Sequence, residues 1–441
     1  MTRARASGTR LFLAAGVLVD PETWVAGGSL LLEAGRVRAI RIGVPRRGVA
    51  GIVDLRPAVL VPGLVDAHAH LDLTHVGTVP ARGGFARWIR GVLEGRRTTP
   101  ARGTPDAVRD GARALLGRGT TALADHDGSG DSFAGLAGWP GRALVLREVI
   151  APSPEEARRA AEEARRWLEA FPSRSRRRPG LAPHAPYTVS PPLYARLARL
   201  AASRRVALST HLAETREETD LLLRGKGPLR DLLEERRRLP SGWRPPGVRP
   251  LEVLEAAGAL GPRTLLVHAN DLTEAEGARI ARSGATVVVC PGTHLHFDRV
   301  AASVRRLRAS GARLALGTDG LASNDRLDLF AEMARLRRLV GEMTPAEVFR
   351  AATLGGAALG LSSGAGTLAP GAAADFLALD PPAPALDRRG LLAWLTEGCP
   401  VPRGVYLAGR PALPDRTVRG PAILRSLSGT GRTPLLPTGD G

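Results

Sequence analysis

The sequence predicts an α/β protein, a (β/α)8 TIM-like barrel with a small β-sandwich domain built from both chain ends. Three observations predict it. From residue 59 onward, apolar runs alternate with helical stretches, and the runs end near His68, Asp125, Ile150, His184, His211, His268, Cys290 and Asp319. Eight strands with intervening helices over about 300 residues have the length and rhythm of such a barrel. Second, six of those eight ends carry His or Asp within a residue or so. Barrel chemistry sits at the C-terminal strand ends, and buried-strand composition alone does not put such residues there. Third, the segments before 59 and after 360 read as short strands separated by turns rather than as helices. The expected division is 1–58 for the first part of the sandwich and 59–360 for the catalytic barrel. Residues 361–425 form its second part, and 426–441 a flexible tail.

The first segment offers Arg10 to Leu13, Val17 to Val19, Ser29 to Leu32 and Val37 to Ile40 as strands, punctuated by Asp20-Pro21 and Gly27-Gly28. In the barrel, Pro154 to Ala170 and Pro191 to Ser203 are representative helices. After Asp319 come two more, Leu327 to Leu339 and Pro345 to Leu359. Asp375 to Asp380, Arg403 to Leu407 and Thr417 to Ile423 then return the chain to the β module.

Composition excludes several functions. The chain has 441 residues and a formal charge of +19, which by itself points to nucleic acid or an anionic membrane. Lysine occurs once, at Lys226, so all but one of the 62 basic residues are arginine. With abundant Ala, Gly and Pro, that is a compositional background rather than a built basic face. The clusters Arg176 to Arg178 and Arg236 to Arg238 fall in loop or helix-end settings without aromatic interleaving, so no nucleic-acid partner is expected. Two cysteines, Cys290 and Cys399, give no disulfide framework. Leu11 to Val19 is too short, and too soon followed by Asp20-Pro21, for a signal peptide. No run approaches the ~18 apolar residues of a membrane span. A cytoplasmic protein is expected.

The chemistry begins at Val61 to Asp72, VPGLVDAHAHLD. Residues i and i+2 of a strand share a face, so His68 and His70 aim two imidazoles at one point. Two converging imidazoles begin a divalent-metal site, although two surface histidines near a turn have the same spacing. His211, His268 and Asp319 at later strand ends decide for the metal. Imidazoles with a carboxylate suit Zn²⁺ or Fe²⁺ and leave a position for water, which becomes a nucleophile near neutral pH. Glu214 follows His211 at i+3 in HLAE, so one helical turn places both on one side, where a carboxylate carries protons. His75 and His126 are read as hydrogen-bonded core.

The order HxH, HxxE, lone His and GTD resembles the amidohydrolase superfamily, and within it the mononuclear aminohydrolases such as cytosine, adenosine, S-adenosylhomocysteine and guanine deaminases and triazine hydrolases. PHAPYTVSP, THLAET, LLVHAND, VVCPGTHLHF, GTDGLASND and GTLAPGAAADFLALD carry the likeness across nearly the whole chain. The resemblance implies one divalent ion, Zn²⁺ first and Fe²⁺ as the alternative, on His68, His70, His211 and Asp319. It implies that Asp319 takes the proton of the attacking water, Glu214 protonates the ring nitrogen, and His268 positions water and intermediate. Binuclear members bridge two metals with a barrel-strand lysine, whereas the single lysine here lies in a Gly-rich loop. One departure is Ala372, where relatives often carry Lys; it is expected at the domain seam.

HLDLTHVG, GGFARWI, the WRPPG loop and CPGTHLHF look most like the aminodeoxyfutalosine deaminases of menaquinone biosynthesis, whose nucleoside carries a benzoate tail. That likeness makes Phe85 and Trp88 an aromatic wall, Arg87 (or Arg82 or Arg90) the carboxylate's cation, and His184, His294 and Asn324 further substrate-binding residues. The alternatives are deamination of S-adenosylhomocysteine, methylthioadenosine or adenosine, then a guanine deaminase or triazine-type hydrolase, then a non-catalytic binding protein. A homodimer is expected by the same analogy.

Overall fold

The computed structural model describes residues 9–43, 51–98, 104–171, 176–357, 360, 364–382 and 387–413. Eight parallel strands lie side by side in chain order: Leu64–Ala69, Thr120–Asp127, Arg142–Val149, Arg177–Pro183, Leu208–Leu212, Thr264–His268, Thr286–Val289 and Arg313–Leu316. Bonds between the first and eighth strands close the barrel. Asp319 N–H donates to the His68 carbonyl at 3.0 Å, and His70 N–H to the Asp319 carbonyl at 3.1 Å. The buried Asp66 carboxylate pins this junction by accepting from Thr318 N–H at 3.1 Å, Thr318 Oγ1 at 2.6 Å and His68 N–H at 3.2 Å.

The strands alternate as their pleat requires. Ala122, Ala124, Leu144, Leu146, Val267 and Val288 join one buried cluster inside the barrel. Leu123, Ala143 and Val145, one residue out of phase, pack with Val108, Ala112 and Leu115 of the helix Thr104–Gly117. The inward face therefore continues upward, past these small apolar residues, to whatever side chains stand at the strand ends.

The smaller domain is a four-stranded sheet facing a six-stranded one. Arg10–Leu13, Gly28–Glu33, Arg36–Ile42 and Gly51–Asp54 form the first. The second takes Gly16–Asp20, Thr23–Ala26 and Val59–Pro62 from one chain end and Phe376–Leu379, Gly404–Leu407 and Arg410–Pro411 from the other. Phe12, Phe376 and Tyr406 meet between them with ring centroids 4.6–5.6 Å apart. Val59–Pro62 thus pairs with Phe376–Leu379, and the barrel proper starts at Leu64. Ala372 joins the two chain ends within this domain, its carbonyl accepting from Val37 N–H at 2.9 Å.

Three local expectations change. Arg177 and Arg178 open the fourth barrel strand instead of a loop, pairing with Ala143 and Leu144. Pro345 to Leu359 divides into the helices Pro345–Ala351 and Leu354–Ala357. The second is pressed under the barrel, where a Cβ on Gly355 would lie 2.1 Å from the Leu314 carbonyl and only glycine fits. A helix, Arg388–Glu397, capped by the Asp387 side chain, interrupts the returning strands. The expected strand from Thr417 to Ile423 and the tail from 426 lie outside the described residues.

Candidate metal centre and cavity

At the C-terminal mouth of the barrel, the first, fifth, sixth and eighth strands deliver His68, His70, His211, His268 and Asp319 to two overlapping clusters: His68, His70 and His211 in one, and His68, His268 and Asp319 in the other. His70 Nε2 lies 3.3 Å from His211 Nε2. Asp319 Oδ1 is 3.3 Å from His68 Nε2 and 3.9 Å from His70 Nε2. These separations are those of donors sharing one ion, since ligand atoms about 2.0–2.2 Å from a metal sit roughly 3–4 Å from each other. Both ring nitrogens of His68 are buried without a hydrogen-bond partner among the described residues, and such atoms need a partner.

The electrostatics fit a cation. Burial, then the neighbouring imidazoles, brings His211 down to about 3 and His184 to about 4, and burial holds His70 and His268 well below the usual imidazole range. Burial works to raise Asp319, but the close approach of His68 and the charges of His268 and His68 prevail and hold it well below the carboxylate range. Neutral imidazoles beside an ionised carboxylate are the protonation states metal binding requires. Two ends are strained as well: His268 and Asp319 have φ of 70° and 57°, the left-handed region that non-glycine residues rarely occupy.

Asp319 is held by two hydroxyls that the sequence reading did not single out. Its Oδ2 accepts from Thr293 Oγ1 at 2.8 Å and Ser323 Oγ at 2.7 Å, leaving Oδ1 to face the imidazoles. Both residues lie in quoted motifs, VVCPGTHLHF and GTDGLASND, which was the available signal.

Glu214 also reaches the centre, but not by a helical turn. His211 ends a strand, Ala213 is left-handed with φ 45°, and the helix starts only at Arg216. Its backbone is fixed by Glu214 N–H donating to Glu218 Oε2 at 3.0 Å and by Asn270 Nδ2 donating to the Glu214 carbonyl at 3.0 Å. The carboxylate lies 3.7 Å from His268 Nε2 and 3.3 Å from Arg299 Nη1. Burial pushes Glu214 up to about 7 against the pull of Arg299, so it can carry a proton near neutral pH.

A cavity of about 270 Å³ opens beside this centre, lined by His70, His184, His211, Glu214, His268 and Asp319 at one end and by Phe85, Trp88, Ile89 and Leu232 at the other. Phe85 and Trp88 stack with centroids 5.6 Å apart, and Trp88 Nε1 donates to the Ala322 carbonyl at 3.0 Å. Phe297 completes the wall 5.3 Å from Trp88, with the Arg299 guanidinium 4.3 Å over its ring. His184 lines the cavity and is oriented by Thr188 Oγ1 at 2.7 Å from its Nδ1.

Three expected substrate contacts are placed elsewhere. Arg87 is exposed at the helix surface and does not line the cavity. Arg82 is exposed too, and Arg90 is tied to Glu235 at 2.7 Å; the arginines that do line the cavity are Arg96, Arg236 and Arg238. Asn324 is buried behind Asp319, donating to the Thr318 carbonyl at 2.9 Å and Glu332 Oε1 at 3.1 Å and accepting from Arg335 at 2.7 Å. Its side chain is consumed in supporting the loop. His294 is buried away from the cavity in the helix Pro291–His296.

Two groups escaped the sequence reading. Asp72 and Glu148 line the cavity with buried oxygens that have no hydrogen-bond partner among the described residues. His126, assigned to the core, stands among the centre's imidazoles, 4.4 Å from His68 between ring centroids. The inward alternation Ala122, Ala124, His126 was the missed signal.

Fold and site together define a barrel hydrolase built around a candidate divalent-metal centre. The amidohydrolase family pattern matches residues 59–411. The chain is 33% identical over 387 residues to 5-methylthioadenosine/S-adenosylhomocysteine deaminase of Nitratidesulfovibrio vulgaris, covering 82% of each. It is 30% identical over 365 residues to aminodeoxyfutalosine deaminase of Deinococcus radiodurans, covering 78% of this chain and 83% of that one. An adenosine deaminase structure from Xanthomonas campestris, with bound zinc, superposes with a TM-score of 0.72 at 26% identity, over 91% of this chain and 92% of that one. The chain belongs to the amidohydrolase family and is a hydrolase acting on carbon–nitrogen bonds. Among the described residues no helix is long and apolar enough to cross a membrane.

Proposed function

We propose that the chain is a metal-dependent deaminase of an adenine-type nucleoside, and that its substrate is 6-amino-6-deoxyfutalosine, converted to futalosine and ammonia in menaquinone biosynthesis. The observation that carries the deaminase reading is Glu214, a carboxyl group raised to about 7, lining one cavity with His70, His211 and Asp319. His68, His70, His211 and Asp319 hold the divalent ion in this reading, zinc by the relative's example. When bound, such an ion lowers the pKa of a water toward neutrality, supplying a hydroxide nucleophile.

The chain's own residues do the rest. Asp319, oriented by Thr293 and Ser323, accepts the proton the water gives up. Glu214 donates its proton to the ring nitrogen beside the attacked carbon, so that electrons of the amidine have somewhere to go. His268, 3.7 Å from Glu214, orients the developing tetrahedral centre. Asp319 passes the water's proton to the exocyclic amine, the carbon–nitrogen bond breaks and ammonia leaves, while the hydroxyl proton of the intermediate reloads Glu214 as the carbonyl forms. Phe85, Trp88 and His184 flank the bound nucleoside, and Asp72 and Glu148 accept hydroxyl protons from its sugar.

Arg236, Arg238 and Arg96 at the cavity lining favour a substrate ending in a carboxylate. The relatives named above act on either kind of nucleoside, so a second reading takes methylthioadenosine or S-adenosylhomocysteine as the substrate. Ammonia release from aminodeoxyfutalosine, S-adenosylhomocysteine, methylthioadenosine and adenosine separates the two. The first reading expects the highest kcat/KM on the benzoate nucleoside. A preference for methylthioadenosine or adenosine, which have no carboxylate, sinks it, and so does a preference for S-adenosylhomocysteine, whose carboxylate is that of an amino acid.

A further inference from the structure

One imidazole at the centre has no part in the chemistry above. His126 is fully buried on the second barrel strand, in phase with Ala122 and Ala124 on its inward face. Its ring stands edge-on to His68 at 87°, with centroids 5.1 Å from His211 and 5.3 Å from His70. One ring nitrogen from each of His68, His70, His126 and His211 falls within 4.8 Å of all the others. Two nitrogens on opposite sides of one ion are about 4.2 Å apart, twice a ~2.1 Å bond, so the four are close to the span of a shared shell.

The hydrogen bonds of His126 match those of a ligand. A metal-bound imidazole gives one nitrogen to the ion and the other to an outer partner that fixes its tautomer. His211 shows that arrangement, with Nδ1 3.0 Å from the His184 carbonyl and Nε2 facing His70. His126 repeats it: Nε2 is 2.8 Å from Ser209 Oγ, while Nδ1 is buried with no partner among the described residues. An orphaned buried ring nitrogen is costly, and His126 Nδ1 is one that lies within the cluster of imidazoles.

We infer that His126 is a further ligand of the divalent ion, a fourth imidazole joining His68, His70 and His211 from the second strand. The inference rests on the metal reading of the Asp319 centre. Its signature is therefore sought in metal binding rather than in turnover.

The full chain and its His126→Gln and Ser209→Ala variants are stripped with a chelator. They are then titrated with Zn²⁺ against a chromophoric competitor, and with Co²⁺ to saturation. His126→Gln is expected to bind Zn²⁺ about 10–100-fold more weakly. Its saturated Co²⁺ bands gain intensity, because visible Co²⁺ absorption strengthens as coordination number falls. A saturated Co²⁺ spectrum identical to the parent's overturns the inference even if affinity drops, since a support role weakens binding without changing the shell. If His126→Gln does not fold, Ser209→Ala decides: saturated Co²⁺ bands altered from the parent's support the ligand role, and bands identical to the parent's overturn it. A parent chain that takes up no Zn²⁺ overturns both this inference and the metal reading, which tells that failure apart from a failure of His126 alone.

Discussion

Glu214 stands between a burial that favours its neutral form and an arginine that favours its anion, and burial prevails, leaving it near 7. A proton donor to a ring nitrogen needs that balance: at a lower value it is empty at neutral pH, and at a higher one it does not let go. Two outcomes follow for this residue. Glu214→Gln keeps the volume and the metal but cannot donate a carboxyl proton. It should retain stoichiometric zinc by elemental analysis and lose about 10²–10⁴-fold in kcat. The parent should show an alkaline limb in kcat/KM at or below about pH 7, because the protonated fraction falls as pH rises through that value and a bound dication pulls it lower. Glu214→Gln should lack that limb. A variant that deaminates at the parent rate ends the proton-donor role.

The elements around the cavity are of two kinds, and they were not equally legible. Barrel strands announce themselves as apolar runs, six of the eight ending in or near His or Asp, so all eight are legible from pattern, and with them His68, His70, His211, His268 and Asp319. What failed was phase and loop geometry. His126 is hidden from pattern because its strand runs on to Asp127, and HLAE resembles a helical turn because a left-handed Ala213 leaves no mark in composition. Arg87 faces solvent because helix phase, not proximity to Phe85 and Trp88 in sequence, decides which side chains of Phe85–Thr98 reach the cavity. The helices Phe85–Thr98 and Pro228–Glu235 form a satellite core through Phe85, Ala86, Leu229, Leu232 and Leu233, clasped by the Arg90–Glu235 pair. Arg236 and Arg238 follow the second helix directly, and the described structure gives neither an acidic partner. Charge-assisted hydrogen bonds contribute about 1.5–3 kcal/mol. The double variant Arg236→Ala/Arg238→Ala should therefore raise KM about 10-fold or more for a carboxylate-bearing nucleoside, with kcat held and methylthioadenosine unaffected. Equal losses on both substrates point instead to collapse of the satellite core.

At the scale of the molecule, the centre loads the fold with buried imidazoles that stay neutral. His184 and His211 titrate at about 4 and 3 when folded, against about 6.5 in an unfolded chain. Below pH 6.5 the unfolded state therefore binds protons that the native state refuses. Stability then rises with pH and is lost as pH falls from 6.5 toward those folded values. Between pH 6.5 and 5 each such imidazole costs on the order of 2 kcal/mol, a sizeable share of a typical domain's margin. Metal acts in the opposite direction: an ion that binds only the native chain adds about 2.7 kcal/mol at one hundred times its dissociation constant. Chelator-treated protein should thus melt several degrees below the zinc-loaded form at pH 7.5 and lose further melting temperature steadily toward pH 5. Re-adding Zn²⁺ at pH 7.5 restores the loss from stripping, whereas Mg²⁺, an oxygen-seeking ion poorly matched to imidazoles, does not. Thermal melts of the stripped and reloaded chain across pH 5–8 measure both effects. A stripped protein whose melting temperature is flat across that range means the imidazoles are not held neutral by the fold. An equal response to Mg²⁺ means the clustered imidazoles His68, His70 and His211 are not what holds the ion.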